Sequence, residues 1–246
     1  MNFYPIFKKE LRSYFTSLIA YVVLAVFLVL SGYYFYTDLA LFVLWGGASV
    51  QEGLWQYLFH DIRLILLFTI PLLTMRLFSE EKKLGTIELL FTYPFRDIEI
   101  LLGKYLACLT VFSIMLGFTV LYPILLAIVY QVELGPLIAS YLGMFLLGAA
   151  FISCGIMVSS LTENQIVAAL VTSGIILTFW FIDWNEAAVS PSVAVVLHHL
   201  SFFEHFYNFV RGVIDTKDII YFILFNFFFL FLTLRSLESR RWRGLR

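Results

Sequence analysis

The chain has 246 residues, of which 61% are hydrophobic and 13% charged, with a mean hydropathy of +0.92. That charge content is about half of what a soluble domain carries, too little to clothe a water-facing surface, and the hydrophobicity excludes a disordered chain. The 16 Lys and Arg against 17 Asp and Glu give a net charge of −1 with no basic stripe, which excludes a nucleic-acid partner and leaves a polytopic protein of the lipid bilayer.

Residues 3–15 place Phe3, Phe7, Leu11 and Tyr14 at helical spacing, with Lys8, Lys9 and Arg12 on other faces. This is the pattern of a short helix lying on the inner membrane surface. Between Arg12 and Asp38 no charged residue occurs, enough for a first membrane-spanning helix over about 16–36. The run is too long for a signal peptide, and no small-residue cleavage site follows it.

The second span is expected over 55–77. The uncharged stretch between Arg63 and Arg76 is too short to cross by itself. The helix must therefore start near Trp55 and carry His60, Asp61 and Arg63 at its outer end, with Pro71 kinking it. His60 and Arg63, three apart, share a face; Asp61 does not. Ionisable groups within spans are expensive and are functional-site candidates, so these three are candidates for an outer gate or substrate contact. The plainer alternative is a helix end solvated among headgroups.

Residues 78–99 form a cytosolic loop. Glu80, Glu81, Lys82 and Lys83 make a polar exit from the second span, and Gly85 permits a change of direction. Thr86 to Phe91 reads as a short amphipathic helix ended by Tyr93-Pro94. Asp97 is positioned to cap the third span, and Glu99 suits its first turn. Exposed apolar groups rimmed by charge fit a protein partner, or equally a helix packed back on its own bundle or on lipid.

Further spans are expected over 103–130, 137–160, 164–183 and 218–237. In the fourth, small residues recur four apart (Ala139 and Gly143, Ala149 and Ser153, Gly155 and Ser159), which lets helices approach closely. Residues 187–215 are too polar to span and too apolar for a solvated loop, and read as one or two short helices at the outer interface or re-entrant into it. His198, His199, Glu204 and His205 lie here with Asp183 nearby. No tight ligand spacing supports a metal site, so they read as boundary polar residues. Cys108 and Cys154, both inside apolar runs, read as small packing residues.

Six spans put both termini on one side. With the termini in the cytosol, Lys8, Lys9, Arg12, Arg76, Lys82, Lys83, Arg96, Lys104 and the five arginines from Arg235 onward lie inside. Only Arg63, Arg211 and Lys217 lie outside. That asymmetry obeys the positive-inside rule. The expected fold is therefore an all-α integral membrane protein forming one domain over 1–246. It has six transmembrane helices, an N-terminal interfacial helix, a cytosolic helix between spans two and three, and outer interfacial helices between spans five and six.

The stretch from Met75 through Glu80-Glu81-Lys82-Lys83-Leu84-Gly85-Thr86-Ile87-Glu88-Leu89-Leu90, followed by Tyr93-Pro94 and Leu102-Gly103-Lys104, resembles the ABC-2 family of ATP-binding-cassette permeases. The tail, with Gly212-Val213-Ile214-Asp215, Tyr221-Phe222 and the run from Leu234 to Trp242, resembles the branch holding the gliding-motility (GldF-like) and NosY-like permeases. The resemblance implies a subunit that pairs with a second permease, as homodimer or heterodimer, each resting on a cytosolic ABC ATPase. The loop after span two would be the coupling helix. Glu80, Glu81, Lys82, Gly85, Thr86, Glu88 and Leu89 would form the ATPase-coupling interface. The inner interfacial helix, through Phe7, Lys8, Lys9, Leu11 and Arg12, would be a second contact.

The chain has no Gly-x-x-x-x-Gly-Lys-Ser/Thr phosphate loop, since Ile98 stands where Gly103-Lys104 would need the first glycine. No cofactor is expected in this chain; ATP and magnesium act through the partner ATPase. The resemblance implies export, or movement between leaflets, of a substrate across a bacterial inner membrane, with any periplasmic component a separate protein. Two other functions fit the same pattern. One is an ATP-driven mechanical transmitter to periplasmic partners that moves no substrate. The other is an ion-coupled carrier or channel, against which stands the lack of charge at most span centres.

Overall fold

A computed structural model describes residues 3–44, 54–86, 95–128, 133–182, 184 and 190–243. Among these residues every regular element is helical. In chain order they are α1 (Tyr4–Thr16), α2 (Leu18–Leu44), α3 (Leu54–Thr74), α4 (Arg76–Lys83), α5 (Asp97–Thr119), α6 (Leu121–Ala127), α7 (Leu134–Leu161), α8 (Gln165–Phe181), α9 (Pro191–Leu200), α10 (Phe202–Val210) and α11 (Thr216–Arg243).

Among the described residues, five helical stretches are long and apolar enough to cross a membrane: Leu18–Leu44, Leu54–Lys83, Asp97–Ala127, Leu134–Leu161 and Thr216–Ser239. Helix α8, with 17 residues, is apolar but shorter. At 1.5 Å per residue it reaches about 25 Å, a little less than the ~30 Å hydrocarbon core. Helix α2 runs on past the expected boundary and carries Asp38 inside it.

Helices α3 and α7 form the centre. Helix α7 packs against α3, α4, α5, α8, α10 and α11. It can do so because its glycines let neighbours in. A Cβ at Gly143 would stand 2.5 Å from Phe209 Cβ of α10, and Gly148 and Gly155 are pressed likewise by Phe112 of α5 and Thr74 of α3. The small residues of this helix thus serve packing within the chain. Helices α2 and α11 are peripheral. Only Val23, Phe27 and Ser31 of α2 are buried, one face at a spacing of four. Tyr21, Val29, Tyr33, Ile223, Phe227 and Phe228 of these two helices are exposed, as lipid contact requires.

The kink is built around Pro71. Proline has no N–H, so the Leu67 carbonyl loses its helical donor, and the Ser173 hydroxyl of α8 lies 3.5 Å from it. Met75, between α3 and α4, keeps helical dihedrals, and its amide donates to Pro71 O at 2.9 Å, so Leu54–Lys83 runs as one helical stretch. The carbonyls around Met75 find side-chain donors on three other helices. Tyr14 Oη donates to Leu73 O at 2.9 Å, Ser159 Oγ to Met75 O at 2.9 Å, and Lys104 Nζ to Leu77 O at 2.7 Å. Ser159 Oγ also accepts from the Phe78 and Ser79 amides at 3.0 and 3.1 Å.

One local expectation is corrected. Asp97 does not cap α5. It is the first helical residue, Arg96 holds the cap position, and the Glu99 carboxylate accepts from the Arg96 amide at 3.1 Å. A carboxylate at the third helical position reaches back to the cap N–H better than one at the first. His198 and His205 do not share a helix, because Ser201 ends α9 and caps α10 by accepting from the Phe203 amide at 3.1 Å. Helix α10 packs into the bundle, with Phe202, Phe206 and Phe209 fully buried, whereas no described residue of α9 is buried.

Candidate functional site

At one end of the bundle, α1, α4 and the start of α5 meet in a shell of charge. Lys104 is 1% exposed, a position a lysine occupies only when paired. Its Nζ lies 2.9 Å from Glu10 Oε1 of α1 and 3.0 Å from Glu81 Oε2 of α4. Lys9 extends the network, with Nζ 3.1 Å from Glu81 Oε1 and 3.8 Å from Glu10 Oε1. Partial burial lowers the Lys9 pKa, but Glu81 and Glu10 outweigh it and hold it above its ordinary value. A cavity of about 170 Å³ lies among Lys9, Glu10, Ser13, Tyr14, Arg76 and Glu81. Burial pushes the Tyr14 phenol well above its ordinary range, which keeps it a donor to Leu73 O. Arg76 donates to Ser17 Oγ at 2.6 Å and lies 5.4 Å over the Tyr14 ring. The α1–α5 contact is backbone-close, since a Cβ at Gly103 would stand 2.8 Å from Ile6 Cγ2.

The sequence-derived residues divide here. Glu80 is exposed at the surface of α4, and Glu81 is drawn into the ion network. Lys82 is not a free polar exit. It is buried, and its Nζ donates to the Ser160 carbonyl at the end of α7. Gly85 has φ +68°, a left-handed conformation that suits glycine. Its amide donates to Lys82 O at 3.0 Å, and the Leu84 amide to Glu80 O at 3.0 Å. Thr86 Oγ1 donates to Glu81 O at 3.3 Å. Gly85 and Thr86 thus terminate α4 and turn the chain outward. Glu88, Leu89 and the rest of the expected coupling helix lie outside the described residues.

On α1, Lys8 and Arg12 are exposed, and Phe7 and Leu11 are half-buried. The buried face is Ile6, Glu10 and Tyr14, not the line of Phe3, Phe7, Leu11 and Tyr14 expected from apolar spacing. The helix turns a carboxylate inward because Lys104 waits there. Sequence reading missed both Glu10 and Lys104 as site residues. The spacing of four from Ile6 through Glu10 to Tyr14 was the available signal.

At the other end of α3, His60 and Arg63 face α10. His60 lies 6.2 Å from the Phe203 ring and 5.9 Å from Tyr207. The Arg63 guanidinium sits 4.4 Å over Trp180, 4.8 Å over Phe203 and 5.8 Å over Phe206. The Asp61 carboxylate attracts the Arg63 guanidinium and also acts on Asp38 of α2. Beside this cage, His205 Nδ1 lies 2.6 Å from Asp218 Oδ1, and Asn208 Nδ2 donates to Asp218 Oδ2 at 2.8 Å. His198 lies 3.2 Å from Glu204. His198 and His205 thus pair with two different carboxylates, His199 Nδ1 lies 2.7 Å from Val195 O, and no group of three or more His, Cys, Asp or Glu among the described residues could hold a metal.

The two ends differ in kind. One joins the helix after the kink to two others by ion pairs, at the point where the chain leaves for a loop. The other is an aromatic cage. No curated protein matches this sequence significantly. A sequence profile described as "ABC-2 family transporter protein" matches residues 4–234, from α1 to near the end of α11. With several apolar helices of spanning length and a match over nearly its whole length, the chain belongs to the ABC-2 transporter family, as a membrane permease subunit of an ABC transporter.

Proposed function

We propose that this chain couples ATP hydrolysis by a separate cytosolic ATPase to export or inter-leaflet movement of a substrate, working beside a second permease subunit. The observation that carries the reading is the Lys104–Glu10–Glu81–Lys9 network. It ties α4, whose end leads into the expected coupling loop, to the N-terminal helix and to the span that follows. A push on the loop therefore moves α1, α4 and α5 together, and along the continuous helical stretch Leu54–Lys83 it reaches α3. In this reading α8 is the sixth crossing, completed by its flanking residues and by modest local thinning of the bilayer. Both termini and the ion network are then cytosolic, as the charge asymmetry requires. The resemblance of the tail to the GldF-like and NosY-like branch favours a bacterial inner membrane.

The test is co-purification of the tagged chain in mild detergent, followed by an ATPase assay. Glu80 is exposed, and Glu80→Lys together with Glu88→Lys reverses charge on the proposed docking surface without touching the buried network. Like charges set face to face cost several kcal/mol, so at least a tenfold loss of co-purifying ATPase activity is expected. A chain that purifies alone, or a double variant that retains its ATPase, overturns the reading.

A further inference from the structure

Arg63 is 7% exposed, and its Nε and Nη1 have no hydrogen-bond partner. The ring faces of Trp180, Phe203 and Phe206 hold the guanidinium but offer no acceptor to its N–H groups. Asp61 attracts the guanidinium through space but makes no hydrogen bond to Nε or Nη1. Buried N–H groups of a cation left without acceptors are costly, and cation–π contact recovers only about 0.5–2 kcal/mol. Such a side chain is accounted for by an anion that is present in the working protein. Arg63 lines a cavity of about 500 Å³ together with Leu64, Trp180, Phe181, Trp184, Phe203 and Glu204, within the size of small-molecule sites. The cavity carries both signs: Arg63 contributes a cation, and Glu204, whose described charge partner is His198, contributes a carboxylate. The remaining walls are apolar and aromatic. Trp184 is 73% exposed at the margin, where an indole suits the membrane–water boundary.

We propose that this cavity binds a zwitterionic phosphate–ammonium group, as on a phosphoethanolamine lipid, with the phosphate on the Arg63 guanidinium and the ammonium between Glu204 and the aromatic rings. A guanidinium presents a planar donor fork matched to phosphate oxygens. An ammonium is attracted by both a carboxylate and aromatic faces. A purely anionic headgroup satisfies Arg63 but meets Glu204 with like charge; a neutral lipid satisfies neither. The site rests on the chain's being membrane-embedded and does not depend on coupling to an ATPase, so failure of the ATPase test leaves it standing.

The test is titration of the full-length chain, purified in a non-ionic detergent, with short-chain phosphatidylethanolamine, phosphatidylglycerol, diacylglycerol and free phosphoethanolamine, read by tryptophan fluorescence. Phosphatidylethanolamine should bind at least tenfold more tightly than diacylglycerol, which lacks the headgroup. Arg63→Gln should weaken both phospholipids about tenfold, the value of one charged hydrogen-bonded contact. Glu204→Gln should weaken phosphatidylethanolamine several-fold while strengthening phosphatidylglycerol, a divergence that misfolding cannot imitate. Free phosphoethanolamine binding as tightly as the lipid supports the same site with a soluble ligand, and weaker binding supports a lipid source. Binding of diacylglycerol equal to phosphatidylethanolamine, phosphatidylglycerol binding more tightly than phosphatidylethanolamine, or affinities unmoved by Glu204→Gln overturns the proposal.

Discussion

Lys104 and Arg63 are both buried cations in a bilayer protein, and the chain treats them oppositely. Lys104 at the α1–α4–α5 end has two carboxylates and a carbonyl within 3.0 Å. Arg63 at the far end of α3 has aromatic faces and two nitrogens without an acceptor. A buried charge held by ion pairs on two sides is a structural joint, because removing one partner leaves the other stranded. A buried charge that is incompletely matched holds binding capacity in reserve. The two ends of one kinked helix thus differ in what they are ready to do: the first transmits displacement and the second receives a ligand.

The comparison is broken most severely at Lys104. Lys104→Met fills similar space but strands Glu10, 8% exposed, and leaves the Leu77 carbonyl without its side-chain donor. The expected loss is about 3–5 kcal/mol, seen as a large drop in the unfolding temperature in mild detergent. Adding Glu10→Met should restore much of it, since replacing both partners of a buried pair with apolar groups is often neutral. A single variant as stable as the parent would show that the network is ornamental, and the coupling argument would lose its basis.

Arg63→Met sharpens the contrast from the other side. Without lipid, the substitution removes an incompletely satisfied cation and keeps the side-chain volume, giving up cation–π contact and the through-space attraction of Asp61. Stability in lipid-free detergent should therefore change by no more than about 1 kcal/mol, in either direction. Adding short-chain phosphatidylethanolamine should stabilise the parent and not the variant, because a ligand stabilises only the state it binds. A loss as large as that of Lys104→Met would mean that Arg63 is a structural joint as well.

The bilayer class, five of the six stretches expected to span and the packing role of the small residues in α7 were legible in the sequence, since each rests on a local pattern of composition or spacing. The site was less so. Apolar periodicity put Phe7 and Leu11 on the inner face of α1, whereas Glu10 lies there, because its partner Lys104 is 94 residues away and no local pattern encodes it. Lys82 read as a solvated charge for the same reason, with the Ser160 carbonyl 78 residues distant. His60 and Arg63 share a face as their spacing dictates. The rings that surround Arg63 come from α8 and α10, and only tertiary packing brings them together. The break at Ser201 carries no glycine or proline signal, so one helix or two stay open in the sequence and only packing decides between them.

The smallest effect lies at the exposed margin of the network. Lys9 has a side chain 60% exposed and an ion pair with Glu81 at 3.1 Å. Its pKa is raised above the ordinary 10.5 although burial opposes this, because Glu81 and Glu10 favour the charged form. A group with a raised folded-state pKa binds its proton more tightly when folded, so its contribution is fully present below about pH 10.5 and is lost as pH rises through the folded-state value. Between pH 9 and pH 12 the difference in stability between the parent and Lys9→Met should therefore shrink to nothing. The difference at neutral pH should be no more than about 1 kcal/mol and should fall with added salt. Lys104, at 1% exposure, should show almost none of that salt dependence, because mobile ions do not reach it. Equal salt sensitivity at both lysines would mean that water enters the network, and the joint between α1, α4 and α5 would then be too loose to carry a push from the loop.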